Sequence, residues 1–155
     1  MNSKRWLALF VETDVGVLAE ISGLFAGKAY NLDSLTVGVT ADKTVSRMTI
    51  CLTGGDELFE QVKKQLNRNV NVIKLVDLTD SLTAEKELAF LKIARSSINA
   101  VMPLADHYGL RVLQRDGESV LLQSVNPQSV NDALTEALTK KDIPFEIVRG
   151  GSVAI

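Results

Sequence analysis

One succession of hydrophobic patterns, strand–helix–strand–strand–helix–strand, occurs twice along the 155 residues. This repeat constrains the fold most, because each pass alone has enough elements to lay two helices on a small sheet. In the first pass, residues 6–11 (Trp-Leu-Ala-Leu-Phe-Val) form a bulky apolar run typical of a buried strand. Asp14 is then a candidate helix N-cap, and Val17, Leu18, Ile21, Leu24 and Phe25 recur at helical spacing before a close near Gly27. Residues 35–40 alternate with period two, Ala41-Asp42-Lys43 supplies turn chemistry, and residues 45–52 alternate again. In that last stretch Ser46, Met48, Ile50 and Leu52 share one face. Gly54-Gly55-Asp56 breaks the strand and opens a helix with Leu58, Phe59, Val62 and Leu66 inward, and residues 70–78 read as a fourth strand.

A polar stretch, residues 79–85, has the composition of a linker. Beyond it, residues 88–94 read as a strand, and Ser97 is placed to cap a helix carrying Ile98, Val101, Met102, Ala105 and Tyr108, with Pro103 inside it and Gly109 as its C-cap. Asp116-Gly117 marks a hairpin between residues 110–114 and 119–124. Asn126-Pro127 opens a helix whose inward stripe is Val130, Ala133, Leu134, Ala137 and Leu138. Residues 143–148 supply the last strand, and Gly150-Gly151 leads to a short apolar tail with no assigned place. The fold class expected is therefore α+β, with two consecutive βαββαβ ferredoxin-like units, residues 1–78 and 86–155, joined by residues 79–85. The repeat is architectural, since the two halves share little residue by residue.

Charge narrows the partners. Lys and Arg number 17 against 19 Asp and Glu, for a net charge of -2, so there is no positive field to hold a phosphate backbone and nucleic acid is not expected. The start, Met1 to Arg5, runs straight into an apolar alternation without a secretory core segment, and no apolar run approaches the roughly 20 residues that span a bilayer. The single cysteine, Cys51, can form no internal disulfide. A cytoplasmic protein that does not engage a membrane is expected.

Catalytic chemistry has little to work with. The one histidine, His107, sits at the end of the third helix, where a partly exposed imidazole is structurally ordinary, and Cys51 on a hairpin strand reads as an inert buried thiol. No zinc spacing, dinucleotide fingerprint or phosphate loop is present. The segment Glu12-Thr13-Asp14-Val15-Gly16-Val17-Leu18 is different: it joins a strand to a helix, whose first-turn N–H groups lack intrahelical acceptors and can receive a small carboxylate. Gly16 in that turn either admits a close approach by such a group or simply suits the turn.

Residues 11–21 (Val-Glu-Thr-Asp-Val-Gly-Val-Leu-Ala-Glu-Ile), residues 30–37 (Tyr-Asn-Leu-Asp-Ser-Leu-Thr-Val) and residues 45–50 (Val-Ser-Arg-Met-Thr-Ile) resemble the ACT domain of acetolactate synthase regulatory subunits. The Gly-Val-Leu element is common to ACT domains, and the other two are far more specific to this family. The likeness is close over the first half; beyond it, only element order and total length agree. It implies an N-terminal ACT domain followed by an ACT-like domain, with two ACT domains pairing edge to edge in a homodimer. It further implies that a branched-chain amino acid, chiefly valine, binds at that junction. By the same resemblance, Gly16 and its flanking amides receive the effector carboxylate, Thr13, Asp14, Val15 and Val17 are among the effector-binding residues, Val11, Leu18 and Val37 line an aliphatic pocket, and Asn31 offers its side-chain amide from the neighbouring subunit. The implied receiver of the signal is the large catalytic subunit, which condenses 2-keto acids using thiamine diphosphate, Mg²⁺ and FAD; this chain itself would carry no cofactor and no catalytic residue.

The sequence departs from the family at Thr13, where valine-responsive members usually carry asparagine. A hydroxyl offers one donor where an amide offers two, and one lost hydrogen bond to a charged group costs about 1.5–3 kcal/mol. Two other readings remain open on the residues alone. A stand-alone sensor of two ACT-like domains would need no catalytic partner. An RNA-binding module of the same element order would need stacking aromatics, which at 5% of the chain are scarce.

Overall fold

A computed structural model describes residues 3–25 and 31–155. Gly27 and Tyr30 fall outside them. The first pass comprises β1 (Ser3–Glu12), α1 (Val17–Gly23), β2 (Asn31–Val39), β3 (Val45–Gly54), α2 (Asp56–Arg68) and β4 (Val72–Asp77). The second comprises β5 (Glu85–Ala94), a 3-10 turn (Arg95–Ser97), α3 (Ile98–Tyr108), β6 (Arg111–Arg115), β7 (Ser119–Asn126), α4 (Gln128–Lys140) and β8 (Phe145–Ala154). Each set makes a four-stranded sheet, β2-β3-β1-β4 and β6-β7-β5-β8, which gives the two βαββαβ units expected. One unit holds Met1–Ala84 together with Val153–Ile155, and the other holds Glu85–Ser152.

In the first unit β1 and β3 are central, so both their faces need cover. Leu7, Leu9, Met48, Ile50 and Leu52 point at the helices and meet Ile21, Phe59, Val62 and Leu66. The opposite face buries Trp6, Ala8 and Cys51 against Leu78 and Ala154. Each such aliphatic or aromatic side chain contributes about 1.5–3 kcal/mol on leaving water. The apolar tail thus has a place. It continues β8 past Gly151, whose φ of 81° turns the strand, and Ile155 exchanges backbone bonds with Ala84. The Arg47 guanidinium donates to the Ala154 carbonyl at 2.7 Å.

The second unit packs Leu91, Ile93, Val120 and Leu122 against Val101, Ala105, Leu134 and Leu138. Gly109 caps α3 in the left-handed region, φ 67°, as its position predicts. Pro103 lies inside α3 facing solvent, where water can reach the Asn99 carbonyl it leaves without a partner.

The helix starts differ from expectation. Neither Asp14 nor Ser97 caps a helix through its side chain: Gly16 occupies the N-cap of α1, and the 3-10 turn leads directly into α3. In the first case the Asp14 backbone carbonyl, not its carboxylate, faces the Val17 N–H at 3.4 Å. Helix α1 ends at Gly23, well short of Gly27, and spans seven residues. Strand β5 begins at Glu85 rather than Leu88, because Glu87 faces inward to a buried polar cluster.

Candidate functional site: the turn between β1 and α1

The turn from Glu12 to Gly16 is set by backbone bonds at both sides. Thr13 N–H donates to the Thr44 carbonyl at 2.9 Å, tying the turn to the β2–β3 hairpin, and Asp14 N–H donates back to Glu12 at 3.0 Å. The hairpin is itself fixed by Asp42, whose carboxylate accepts from the Thr44 hydroxyl at 2.6 Å and the Thr44 N–H at 2.9 Å. Those bonds hold the Asp42 carboxyl below the usual carboxylate range.

Gly16 has φ 90°, and a Cβ built there would meet nothing within 4 Å. The backbone conformation by itself therefore calls for glycine here. Helix α1 begins with Glu20 N–H donating to the Gly16 carbonyl at 2.9 Å. Among the described residues, the N–H groups of Val15, Gly16, Leu18 and Ala19 have no acceptor. Those of Thr13 and Asp14 are engaged in the bonds just described, so an anion at the turn would meet the former group and not these.

Beside the turn lies a depression of about 80 Å³ lined by Val11, Glu12, Thr13, Asp14, Val17, Leu18, Val37, Ser46 and Met48. It gathers six of the nine residues named from sequence: Val11, Thr13, Asp14, Val17, Leu18 and Val37. Three are not in it. Val15 projects fully into solvent, Gly16 forms the backbone corner behind, and Asn31 stands at the far end of β2, about 20 Å from Val37 at roughly 3.3 Å per residue. The depression adds Glu12, Ser46 and Met48, the last two on the β3 face that the alternation of residues 45–52 marks. Thr13 and Ser46 bond to each other, oxygen to oxygen 2.8 Å, so the floor is a hydroxyl pair between aliphatic walls. One hydroxyl proton is used within the pair, which leaves one donor for a ligand.

A second hollow, about 340 Å³, opens on the other side of the same turn between Glu12, Thr13, Asp14, the hairpin residues Lys43, Thr44 and Val45, and Ile73. The residues considered for other chemistry are elsewhere. Cys51 is fully buried in the sheet, and His107 is exposed at the end of α3, edge-on to Tyr108 with ring centres 4.7 Å apart. Among the described residues, no three of His, Cys, Asp and Glu cluster closely enough to hold a metal, and no helix is long and apolar enough to cross a membrane.

The turn and its hydroxyl floor fall inside residues 7–74, which match the family model for an AHAS small subunit-like ACT domain, while residues 86–155 match the model for the small subunit of acetolactate synthase. The acetolactate synthase small subunit of Haemophilus influenzae is 34% identical over 154 residues, covering 98% of this chain and 94% of that one. The chain belongs to the acetolactate synthase small-subunit family. A second small subunit, from Aquifex aeolicus, is 36% identical over 155 residues, 98% of this chain and 80% of its own length. The crystal structure of the small subunit from Thermotoga maritima superposes with a TM-score of 0.85 at 25% identity, covering 99% of this chain and 96% of that one. The likeness thus extends through the second unit, where the motifs quoted from sequence were absent.

Proposed function

We propose that this chain is the regulatory subunit of acetolactate synthase. It binds the large catalytic subunit, raises its activity, and transmits feedback inhibition by valine or a related branched-chain amino acid held at the β1–α1 turn. The observation that carries the reading is the depression at that turn, with aliphatic walls, a hydroxyl floor and unsatisfied amides at its rim. A zwitterion with an isopropyl group presents the complementary chemistry: a carboxylate for amides, an ammonium for hydroxyl and carbonyl oxygens, and apolar surface for Val11, Leu18 and Val37.

Size supports a shared site. At about 80 Å³ the depression is far below the roughly 300 Å³ at which ligand pockets begin, so one chain provides only part of an enclosure. It opens beside β2, an edge strand that leaves Leu32, Val37 and Val39 exposed. Antiparallel pairing of two β2 edges would complete both sheets and carry Asn31 of one copy toward the Val37 end of the other. That is the homodimer in which Asn31 acts in trans. Binding at such a junction favours one dimer arrangement over others, and that shift is the signal passed on. The catalytic chemistry, with its thiamine diphosphate, Mg²⁺ and FAD, belongs on this reading to the large subunit.

The test uses the purified chain and its cognate large subunit. Alone, the chain should form no acetolactate; added to the large subunit, it should raise the rate, and valine should then lower it. Calorimetric titration with valine, leucine and isoleucine identifies the effector. Absence of any stimulation overturns the regulatory reading, and an unchanged effector response in Gly16→Asp, which sets a carboxylate against the effector's own, moves the site elsewhere.

A further inference from the structure

Helix α1 is too short to persist by its own hydrogen bonds, because nucleating a helix costs more than two turns return. Val17 and Ile21 fix its inner face in the core. Its outer face is held by Glu20, and the residues that hold it come from the turn between α2 and β4. Glu20 Oε1 accepts from Asn69 Nδ2 at 2.6 Å, and Oε2 accepts from Asn71 Nδ2 at 2.8 Å. The orientation of the Asn69 amide follows from its other bond: its oxygen accepts the Asn71 N–H at 2.9 Å, which leaves the NH₂ to face the carboxylate.

The turn that presents these amides is closed by hydrogen bonds. Val72 N–H donates to the Asn69 carbonyl at 3.1 Å, closing it around exposed Val70. Its Asn71 carbonyl accepts the Glu12 N–H at 3.0 Å. The same four-residue turn therefore grips the chain immediately before Thr13, through Glu12, and shortly after Gly16, through Glu20. The intervening residues form a loop with both ends tied to that turn, one through its backbone and the other through its side-chain amides. Glu20, Asn69 and Asn71 do not line the depression.

We infer that the Asn69–Asn71 turn and Glu20 form a latch that fixes the shape of the β1–α1 turn, so that positioning residues outside the pocket set effector affinity. This rests on reading that turn as the effector site. Charge-assisted bonds from two amides to one carboxylate are the strong member of the set, and the carboxylate is its keystone.

The experiment uses the full chain bound to its large subunit, with valine as the probe and the variants Glu20→Ala, Glu20→Gln and Asn71→Ala. In hydrogen exchange, Glu20→Ala should speed the bonded amides of Val17 and Glu20 about three- to tenfold, the size expected for losing exposed hydrogen bonds to a charge, while β3 and the second unit stay unchanged. The half-saturating valine concentration should rise by a similar factor with stimulation of the large subunit intact. Glu20→Gln, which keeps an acceptor, should recover most of both effects, and Asn71→Ala should fall between. Unchanged exchange at Val17 and Glu20 overturns the latch. Faster exchange with unaltered valine response, or exchange that rises uniformly over the first unit, overturns its control of affinity. Should the wild-type complex take up no valine, leucine or isoleucine, the effector reading fails, and the exchange result still decides the latch.

Discussion

The two units share an element order and a sheet order, and differ most where their first strand meets their first helix. In the first unit that junction is a turn with glycine at φ 90°, a seven-residue helix and a depression beside it. In the second, the chain passes through a 3-10 turn into an eleven-residue helix without any glycine. There Arg95 seals the junction, its N–H donating to the Glu118 carbonyl at 2.8 Å and its guanidinium to the Asp116 carbonyl at 3.0 Å. The second unit also places polar groups in its interior. Glu87 accepts from Asn131 at 3.0 Å and from Arg149 at 2.8 Å, Arg149 reaches Asp132 at 2.6 Å, and buried Asn131 receives the Ser124 hydroxyl at 2.6 Å. The same topology thus carries an open turn in one unit and a cross-bonded junction and interior in the other.

The contrast can be broken most violently at Glu87. Replacing Glu87 by Ala leaves the Arg149 guanidinium and the Asn131 amide without their shared acceptor, and should cost about 3 kcal/mol in denaturant unfolding of the second unit. Valine binding by the first unit should persist. If both are lost together, the units are not separable in function.

A finer cut compares two glycines. Gly16→Ala and Gly109→Ala each force a Cβ into positive φ with no atom to clash, so each should cost about 1–2 kcal/mol by thermal unfolding. Only Gly16→Ala should weaken the response to valine. Equal effects on valine would show that the response follows stability and not the turn.

Thr13→Asn adds a second donor at the floor and should tighten valine binding about tenfold in calorimetry, with no matching gain from a change at Arg95 in the second unit. The smallest effect concerns acid. Asp42 and Asp116 each close a hairpin turn, Asp42 chiefly through the Thr44 hydroxyl and Asp116 chiefly through the Ser119 N–H, and both carboxyls lie below their ordinary range. A lowered folded value means the stabilisation is present above about pH 4 and is lost as pH falls through that value. Amide protection in both hairpins, taken relative to the intrinsic exchange rate at each pH, should therefore fall modestly toward pH 2, and Asp42→Asn or Asp116→Asn should flatten the fall in its own hairpin alone.

Much of the fold was legible because strand and helix periods are local. The alternation of residues 45–52, the helical stripes of α2 and α4, the Asp-Gly hairpin and the Gly109 cap each depend on neighbours a few positions away. The helix starts were not. Asp14 and Ser97 have the right chemistry to cap, but backbone bonds to Thr44 and Glu118 across the sheet fixed the two junctions first. The apolar tail had no local signal either, since its burial depends on Trp6, Ala8 and Cys51 from the other end of the chain.

By itself the sequence determined the two βαββαβ units and most of the residues that gather at the β1–α1 turn, since strand alternation and glycine placement are written in consecutive positions. Tertiary structure decided the rest. It showed that Gly16 answers a positive φ, that Ser46 joins Thr13 in the floor, that Asn31 is beyond reach of its own chain's pocket, and that Asn69 and Asn71 hold Glu20. Each of these depends on which distant strands and turns lie side by side, and pairing across a sheet leaves no period in the residues it joins.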